Sequence, residues 1–163
     1  MFAHRAQAFR TTTKTPLVRA TCWPLLPAEM RLYRASMVAA DARGRVYVAH
    51  RGKCPLFCLD PDGTLRRVIG AGSMKESVAE NLSGPVPVPM EKLHYLHGLH
   101  IDPWNNVWIT DAGRHLVMRF SPEGALTFAL GTDGVSGCDD AHFHQPTHVW
   151  TAASGEIFVS DGY

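Results

Sequence analysis

The sequence carries little net charge: sixteen basic and fifteen acidic residues leave a formal value of +1. That balance gives no electrostatic footprint for nucleic acid or an anionic membrane surface. No apolar run approaches the roughly 18 residues that a membrane-spanning helix needs. Cysteines are few, at positions 22, 54, 58 and 138, too sparse for a disulfide-dense scaffold. Cys54 and Cys58 form a C-x3-C pair, but no second pair follows to complete a structural zinc site. On one strand the two would share a face, where a direct disulfide is strained. All four are therefore expected as free thiols, which leaves the redox compartment open. Acidic residues are absent from the first 22 positions, which hold Arg5, Arg10, Lys14, Arg19 and several threonines. That is the composition of an organelle transit peptide, and equally of a poorly ordered start; no apolar core of a secretory signal is visible.

What is present is a globular composition, 45% hydrophobic and 19% charged over 163 residues, enough for one domain with a sizeable core. Fourteen glycines and eleven prolines make it turn-rich, as many short strands would require. The chain also repeats itself. Residues 36–70, SMVAADARGRVYVAHRGKCPLFCLDPDGTLRRVIG, align without a gap on residues 97–131, HGLHIDPWNNVWITDAGRHLVMRFSPEGALTFALG. Asp41 falls on Asp102, Val46 on Val107, Tyr47 on Trp108, Gly52 on Gly113, Pro61 on Pro122, Gly63 on Gly124 and Gly70 on Gly131. Each unit reads as a short apolar strand, an Asp turn, a second strand, a Gly turn, a third strand, a Pro-acid-Gly reversal and a fourth strand. Four short antiparallel strands per repeat is the pattern of a β-propeller blade.

A third unit, residues 145–163, begins at Gln145; its EIFVSD overlays NVWITD with two extra residues in the preceding turn. Residues 1–35 read as an N-terminal extension, targeting or disordered, and 36–163 as a partial propeller. Residues 71–96, with SGPVPVP, read as an insert loop, and 132–144 as a shorter link ending in HFH. Two and a half blades cannot close a ring and would expose an apolar blade face and an unpaired strand edge. We therefore read the chain as a fragment.

The segments YLHGLHIDPWNNVWITD, HFHQPTHV, IFVSDGY and VYVAHRG, in their order along residues 36–163, resemble the NHL-repeat β-propellers, most closely the peptidyl-α-hydroxyglycine α-amidating lyases. The resemblance implies an all-β, six-bladed propeller of which this chain holds the N-terminal part. It implies a carbon–nitrogen lyase that cleaves peptidyl-α-hydroxyglycine to a peptide amide and glyoxylate, with zinc and a structural calcium. His97, in HGL, takes the place of a zinc ligand. The backbone carbonyls of Leu99 and its repeat-mate Val38 take those of calcium donors. Arg51, in HRG, would bind the substrate carboxylate, and Tyr163, in SDGY, would serve in proton transfer. The implied partners are a peptide ending in α-hydroxyglycine and a peptidylglycine monooxygenase, fused or separate. The implied setting is the secretory pathway, although no signal peptide is apparent and the compartment stays open.

These residue types suit that chemistry. Zinc lowers the pKa of a bound hydroxyl, and neutral imidazole is a good ligand for it. Calcium prefers oxygen donors. Arg pairs with a carboxylate through two parallel bonds. A Tyr beside a cation and an Arg can be acidified enough to accept a proton. Other residues have plainer roles. His100 reads as structural. His142, His144 and His148 read as loop histidines bonded to backbone rather than a second metal site. Asp111 and Asp161 read as turn caps, and Met37, Met118, Trp108 and Phe158 as core. His144 stands where animal members of the family have a disulfide cysteine, which favours a bacterial-type or unicellular relative. The family's other two zinc histidines, and the aspartate beside one, would fall in later blades past Tyr163. One imidazole is not a zinc site, so this chain alone is expected to be inactive. The rivals are a non-catalytic NHL scaffold, which needs no zinc, and a calcium- and carboxylate-dependent propeller hydrolase, for which no channel cluster of Glu or Asp is visible.

Overall fold

Alternating strands and tight turns become ten antiparallel strands in the computed structural model, which describes residues 23–75 and 94–162. Strands β1 (Ala35–Ala40), β2 (Val46–His50), β3 (Leu56–Leu59) and β4 (Leu65–Val68) form one sheet in chain order. Strands β5 (Leu96–Ile101), β6 (Val107–Asp111), β7 (Leu116–Phe120) and β8 (Leu126–Leu130) form a second, and β9 (Pro146–Thr151) pairs with β10 (Ile157–Asp161). No helix occurs among the described residues, so none is long and apolar enough to cross a membrane. The chain is all-β and its sheets are the open blades of a partial β-propeller. Cys54, Cys58 and Cys138 are free thiols; Cys22, the PVPVP stretch and Tyr163 lie outside the described residues.

The internal repeat is a repeat of hydrogen-bond register. Val38 pairs with Val48 and Ala40 with Val46; Leu99 pairs with Ile109 and Ile101 with Val107. Farther out, Tyr47 pairs with Cys58 as Trp108 does with Arg119, and Phe57 with Val68 as Met118 does with Ala129. The third unit keeps the same register, with Val149 opposite Val159 and Trp150 opposite Phe158. The two extra residues expected in its turn are therefore not there; five residues separate Thr151 from Ile157, as five separate Ile101 from Val107. The difference falls upstream of β9, around Gln145.

One turn recurs between the first two strands of every unit. Its left-handed residue is Gly44 (φ 76°), Asn105 (φ 64°) or Gly155 (φ 95°), a conformation that Gly and Asn adopt at low cost. In two units an aspartate organises it. Asp41 accepts the amides of Arg43 and Arg45, Arg45 Nε at 2.6 Å and the Tyr47 hydroxyl. Asp102 accepts the amides of Trp104 and Asn106, Asn106 Nδ2 at 2.9 Å and Trp108 Nε1 at 3.0 Å. Burial works against ionisation of Asp41, but the amides of Arg45 and Arg43 and the Arg45 guanidinium outweigh it and hold the carboxyl below its ordinary value. The third turn has Ala152 instead and closes through backbone alone, with Ser154 Oγ donating to Glu156.

Period-two alternation sends each blade's side chains to two neighbours. Tyr47, Ala49, Leu56 and Cys58 meet Val107, Ile109, Met118 and Phe120 across the first interface. Trp108 and Val117 meet Val149, Ile157 and Val159 across the second. The back of the first blade, Val48, Phe57 and Leu59, is covered by Leu26, Met30 and Leu32. Thus residues 23–34, within the stretch read as an extension, occupy the face a preceding blade would cover, with Leu25 bridging Thr64. Met118 and Trp108 are core, as their positions imply, and Met37 packs against it. Phe158 is not: it is 54% exposed on the edge strand β10, where it tilts onto exposed Trp150 with no described strand outside it.

Replacing Asp102 by Ala strips four donors of their acceptor, among them the indole N–H of buried Trp108. We expect a loss of about 2–4 kcal/mol in urea unfolding followed by tryptophan fluorescence, with Asp102→Asn losing less. A loss below about 1 kcal/mol would show that the turn forms without the cap.

Candidate functional site

Antiparallel pairing puts the start of every innermost strand beside the end of the next strand out. Each of β1, β5 and β9 carries one extra residue at its start. The registers break between Ala35 and Met37, between Leu96 and Leu99, and opposite Ser160–Asp161. The extra residues fall at the same repeat position: Ser36, His97 and Thr147. Bulges of this kind re-aim a side chain and gather near functional sites.

In the outer two units that position is a hydroxyl tied to its own blade. Ser36 Oγ donates to the Ala49 carbonyl (3.3 Å) and Thr147 Oγ1 to the equivalent Ser160 carbonyl (3.2 Å). In the middle unit it is His97, and the ring reaches the next blade. Its Nδ1 lies 2.8 Å from the Thr147 carbonyl oxygen. A carbonyl only accepts, so Nδ1 carries a proton, and in the neutral ring the lone pair is then on Nε2. Metal-binding histidines are commonly held by such a bond from the other ring nitrogen. The bulge lets the two blades approach closely. A Cβ on Gly98 would stand 2.7 Å from His148 Cα and 2.8 Å from the Thr147 oxygen.

Arg51 stands in the turn after β2. Its amide donates to the Tyr33 carbonyl (2.8 Å), its carbonyl accepts the His94 amide (3.4 Å), and its guanidinium lies 5.1 Å over the Tyr95 ring. Tyr95 is two residues before His97, so Arg51 and His97 belong to the same end of the sheets. Val38 and Leu99 occupy one register position on β1 and β5, which pack side by side. Their side chains differ sharply, Val38 being 62% and Leu99 3% exposed; a role for their carbonyls would depend on backbone position alone. Tyr163 lies outside the described residues.

Three other histidines have local partners, and His148, expected in a loop, lies within strand β9. His100 Nε2 meets Thr151 Oγ1 at 3.1 Å, and burial lowers its pKa. His142 Nδ1 contacts the Asp139 carboxylate at 2.9 Å, a side-chain partner rather than the backbone one expected. The His144 ring stacks on His115 at 5.9 Å. Among the described residues no group of three or more His, Cys, Asp or Glu could hold a metal ion.

Three residues matter here, two of which, His50 and Arg114, sequence reasoning passed over. His50 is fully buried; its Nδ1 accepts the Gly52 and Tyr33 amides and its Nε2 meets the Cys54 carbonyl, which braces the Arg51 turn. Asp111, its repeat-mate, is also fully buried and caps the Arg114 amide at 3.1 Å, as a turn-capping reading implies. Asp161 differs: both its oxygens accept the amide of His144, 17 residues earlier in the link before β9. Arg114, the third, makes a two-point pair with Asp133 at 2.8 and 2.9 Å, and Lys75 adds to it at 3.0 Å. Among the described residues Asp111 Oδ2 has no hydrogen-bond partner, and it lies 4.0 Å from Arg114 Nη1. Burial, the largest influence, pushes the Asp111 carboxyl up to about 6, against the lowering effect of Arg114 and two amides.

That shift has a sign. A carboxyl raised on folding stabilises the protein fully below its unfolded pKa, and the contribution is lost as pH rises through the folded value. Relative to Asp111→Asn, the wild type should therefore lose about 2–3 kcal/mol between roughly pH 4 and pH 7. Parallel pH profiles of urea unfolding for the two proteins would contradict this.

No family model matches the sequence. Individual relatives do. A peptidyl-glycine alpha-amidating monooxygenase of Mus musculus is 34% identical over 157 residues, covering 86% of this chain and 15% of that protein. A peptidyl-alpha-hydroxyglycine alpha-amidating lyase of Drosophila melanogaster, its lyase 2, is 37% identical over 146 residues, covering 84% and 36%. A probable lyase of the same description from Caenorhabditis elegans is 44% identical over 68 residues, 41% of this chain and 19% of that protein. The chain thus spans 15 to 36% of the length of these three curated relatives, and it is a homologue of the peptide α-amidating proteins.

Proposed function

We propose that this chain supplies part of the catalytic channel of a six-bladed, NHL-type peptidyl-α-hydroxyglycine α-amidating lyase. The observation that carries the reading is His97: it sits on the strand bulge with Nδ1 bonded to the Thr147 carbonyl, so Nε2 presents the lone pair. That is the state in which an imidazole ligates zinc. The relatives named as lyases support the reaction class.

Each residue has a distinct task in this reading. His97 holds zinc, with the remaining ligands drawn from outside the described residues, and without them the chain is inactive. Zinc bound there lowers the pKa of the carbinol hydroxyl. Arg51 grips the C-terminal carboxylate of the substrate, its guanidinium oriented by the Tyr95 face. Tyr163 accepts the hydroxyl proton as the carbon–nitrogen bond breaks, and the departing amide nitrogen takes up a proton in return, so that glyoxylate and the peptide amide are released. The carbonyls of Val38 and Leu99 would be donors to a structural calcium. The substrate is a peptide ending in α-hydroxyglycine, made by a monooxygenase of the kind named among the relatives, and the setting is the secretory pathway.

The test is glyoxylate release from a peptidyl-α-hydroxyglycine by the full-length protein, with zinc content measured alongside. His97→Ala should lose both zinc and turnover. Arg51→Ala should raise KM about tenfold or more with a smaller effect on kcat, since it removes binding shared by ground and transition states. Undiminished turnover in His97→Ala would end the lyase reading for this site.

A further inference from the structure

His97 needs more than the Thr147 carbonyl to hold its position, because a bulge is the least constrained point of a strand. The three units show what differs in the middle one. The Gly98 amide, the residue after the bulge, donates to Thr110 Oγ1 at 2.7 Å, and Thr110 is fully buried. The same repeat position is Ala49 in the first unit and Ser160 in the third, where the backbone carbonyl accepts the bulge hydroxyl instead. In the first unit a methyl replaces the hydroxyl altogether. A side-chain acceptor for the backbone after the bulge therefore goes with the unit whose bulge carries an imidazole rather than a hydroxyl. Gly98 completes the arrangement, since no side chain fits between it and the β9 backbone.

We propose that Thr110 is a positioning residue for His97: its Oγ1 anchors the Gly98 amide, fixes the bulge, and so sets the ring against the Thr147 carbonyl in the Nδ1–H tautomer. The proposal deepens the functional reading above, on which its significance rests, but its geometry needs neither zinc nor turnover. Thr110 acts through His97 and touches no substrate. Its effect is to choose in advance which imidazole nitrogen presents a lone pair. Without the anchor the bulge can relax, the bond across the blades lengthens, and the tautomers mix.

The test is the nitrogen-15 long-range proton correlation spectrum of His97 in the 163-residue chain, with no metal added, at about pH 8, where an ordinary imidazole is neutral. The wild type should show the Nδ1–H tautomer in about fivefold excess or more, the bias one net hydrogen bond provides. Thr110→Val, which keeps the shape and removes the acceptor, should bring the two tautomers near parity and speed exchange of the Gly98 amide. Thr110→Ser should restore both. A wild-type spectrum dominated by Nε2–H overturns the proposal without any variant, so a Thr110→Val chain that does not fold still leaves it decided. An unchanged ratio in a folded Thr110→Val chain also overturns it. A correct tautomer pattern in a full-length protein that releases no glyoxylate would sink the lyase reading and leave the positioning role standing.

Discussion

Each blade is apolar on both faces, and that constraint organises everything else. A sheet such as β5–β8, whose second strand Val107–Asp111 is buried along its whole length, cannot stand in water alone. It must be sandwiched. Val107 and Ile109 turn back to the first blade, and Trp108 turns forward to the third. The same need draws Leu26, Met30 and Leu32 over the back of the first blade, where no earlier sheet exists among the described residues. Stacking blades in this way brings their innermost strands side by side. The starts of β1, β5 and β9 thereby gather at one end, and the candidate site follows from that gathering.

Sandwiching also decides where polar groups can go. Within a blade partners accompany them at Asp41 and Asp102, whose carboxylates each serve backbone and side-chain donors. The third turn shows the logic by omission. At the position of Arg45 and Asn106, which donate to the aspartate, stands Glu156. A second carboxylate there would repel the first, and the turn has Ala152 with Glu156 satisfied by Ser154 instead. Cap and donor thus change together. Asp111 shows the opposite case, a buried carboxylate incompletely served, and its raised pKa is the physical consequence.

The strand order and the register of the first two blades were legible because the repeat has no gap, and a period-two pattern admits no slip without turning every side chain to the wrong face. Trp108 and Met118 were legible as core for the same reason. The third unit misled because its lead-in residues were counted into the turn; only pairing shows that the turn is of standard length. Phe158 misled because alternation says which face a residue takes, not whether anything covers that face. His97 was reached through its neighbours HGL and ID, yet the bulge beneath it has no local signature: the position is a hydroxyl at Ser36 and Thr147 and an imidazole at His97. His50 and Thr110 escaped because their importance lies in what they brace. A histidine at the end of one strand and a threonine inside another look ordinary until the partner is known.

Repetition offers a reason why the candidate residues sit where they do. A near-symmetric scaffold keeps its register in every unit, and most of its turn residues and core, since each change there is felt by two interfaces. Departures are cheap at the strand starts, where the backbone already bulges and one side faces out. The departures cluster there: His50 against Asp111 and Asp161, His97 against Ser36 and Thr147, Thr110 against Ala49 and Ser160. Two of them make a bond that reaches a neighbouring segment, His97 to the third blade and His50 to Tyr33, while Thr110 holds the bulge from within its own blade. A group held by two blades at once is positioned by the packing of both, so its precision is inherited from the core rather than from its own strand. The same stacking that hides apolar faces therefore supplies the rigidity that the role proposed for His97 would require.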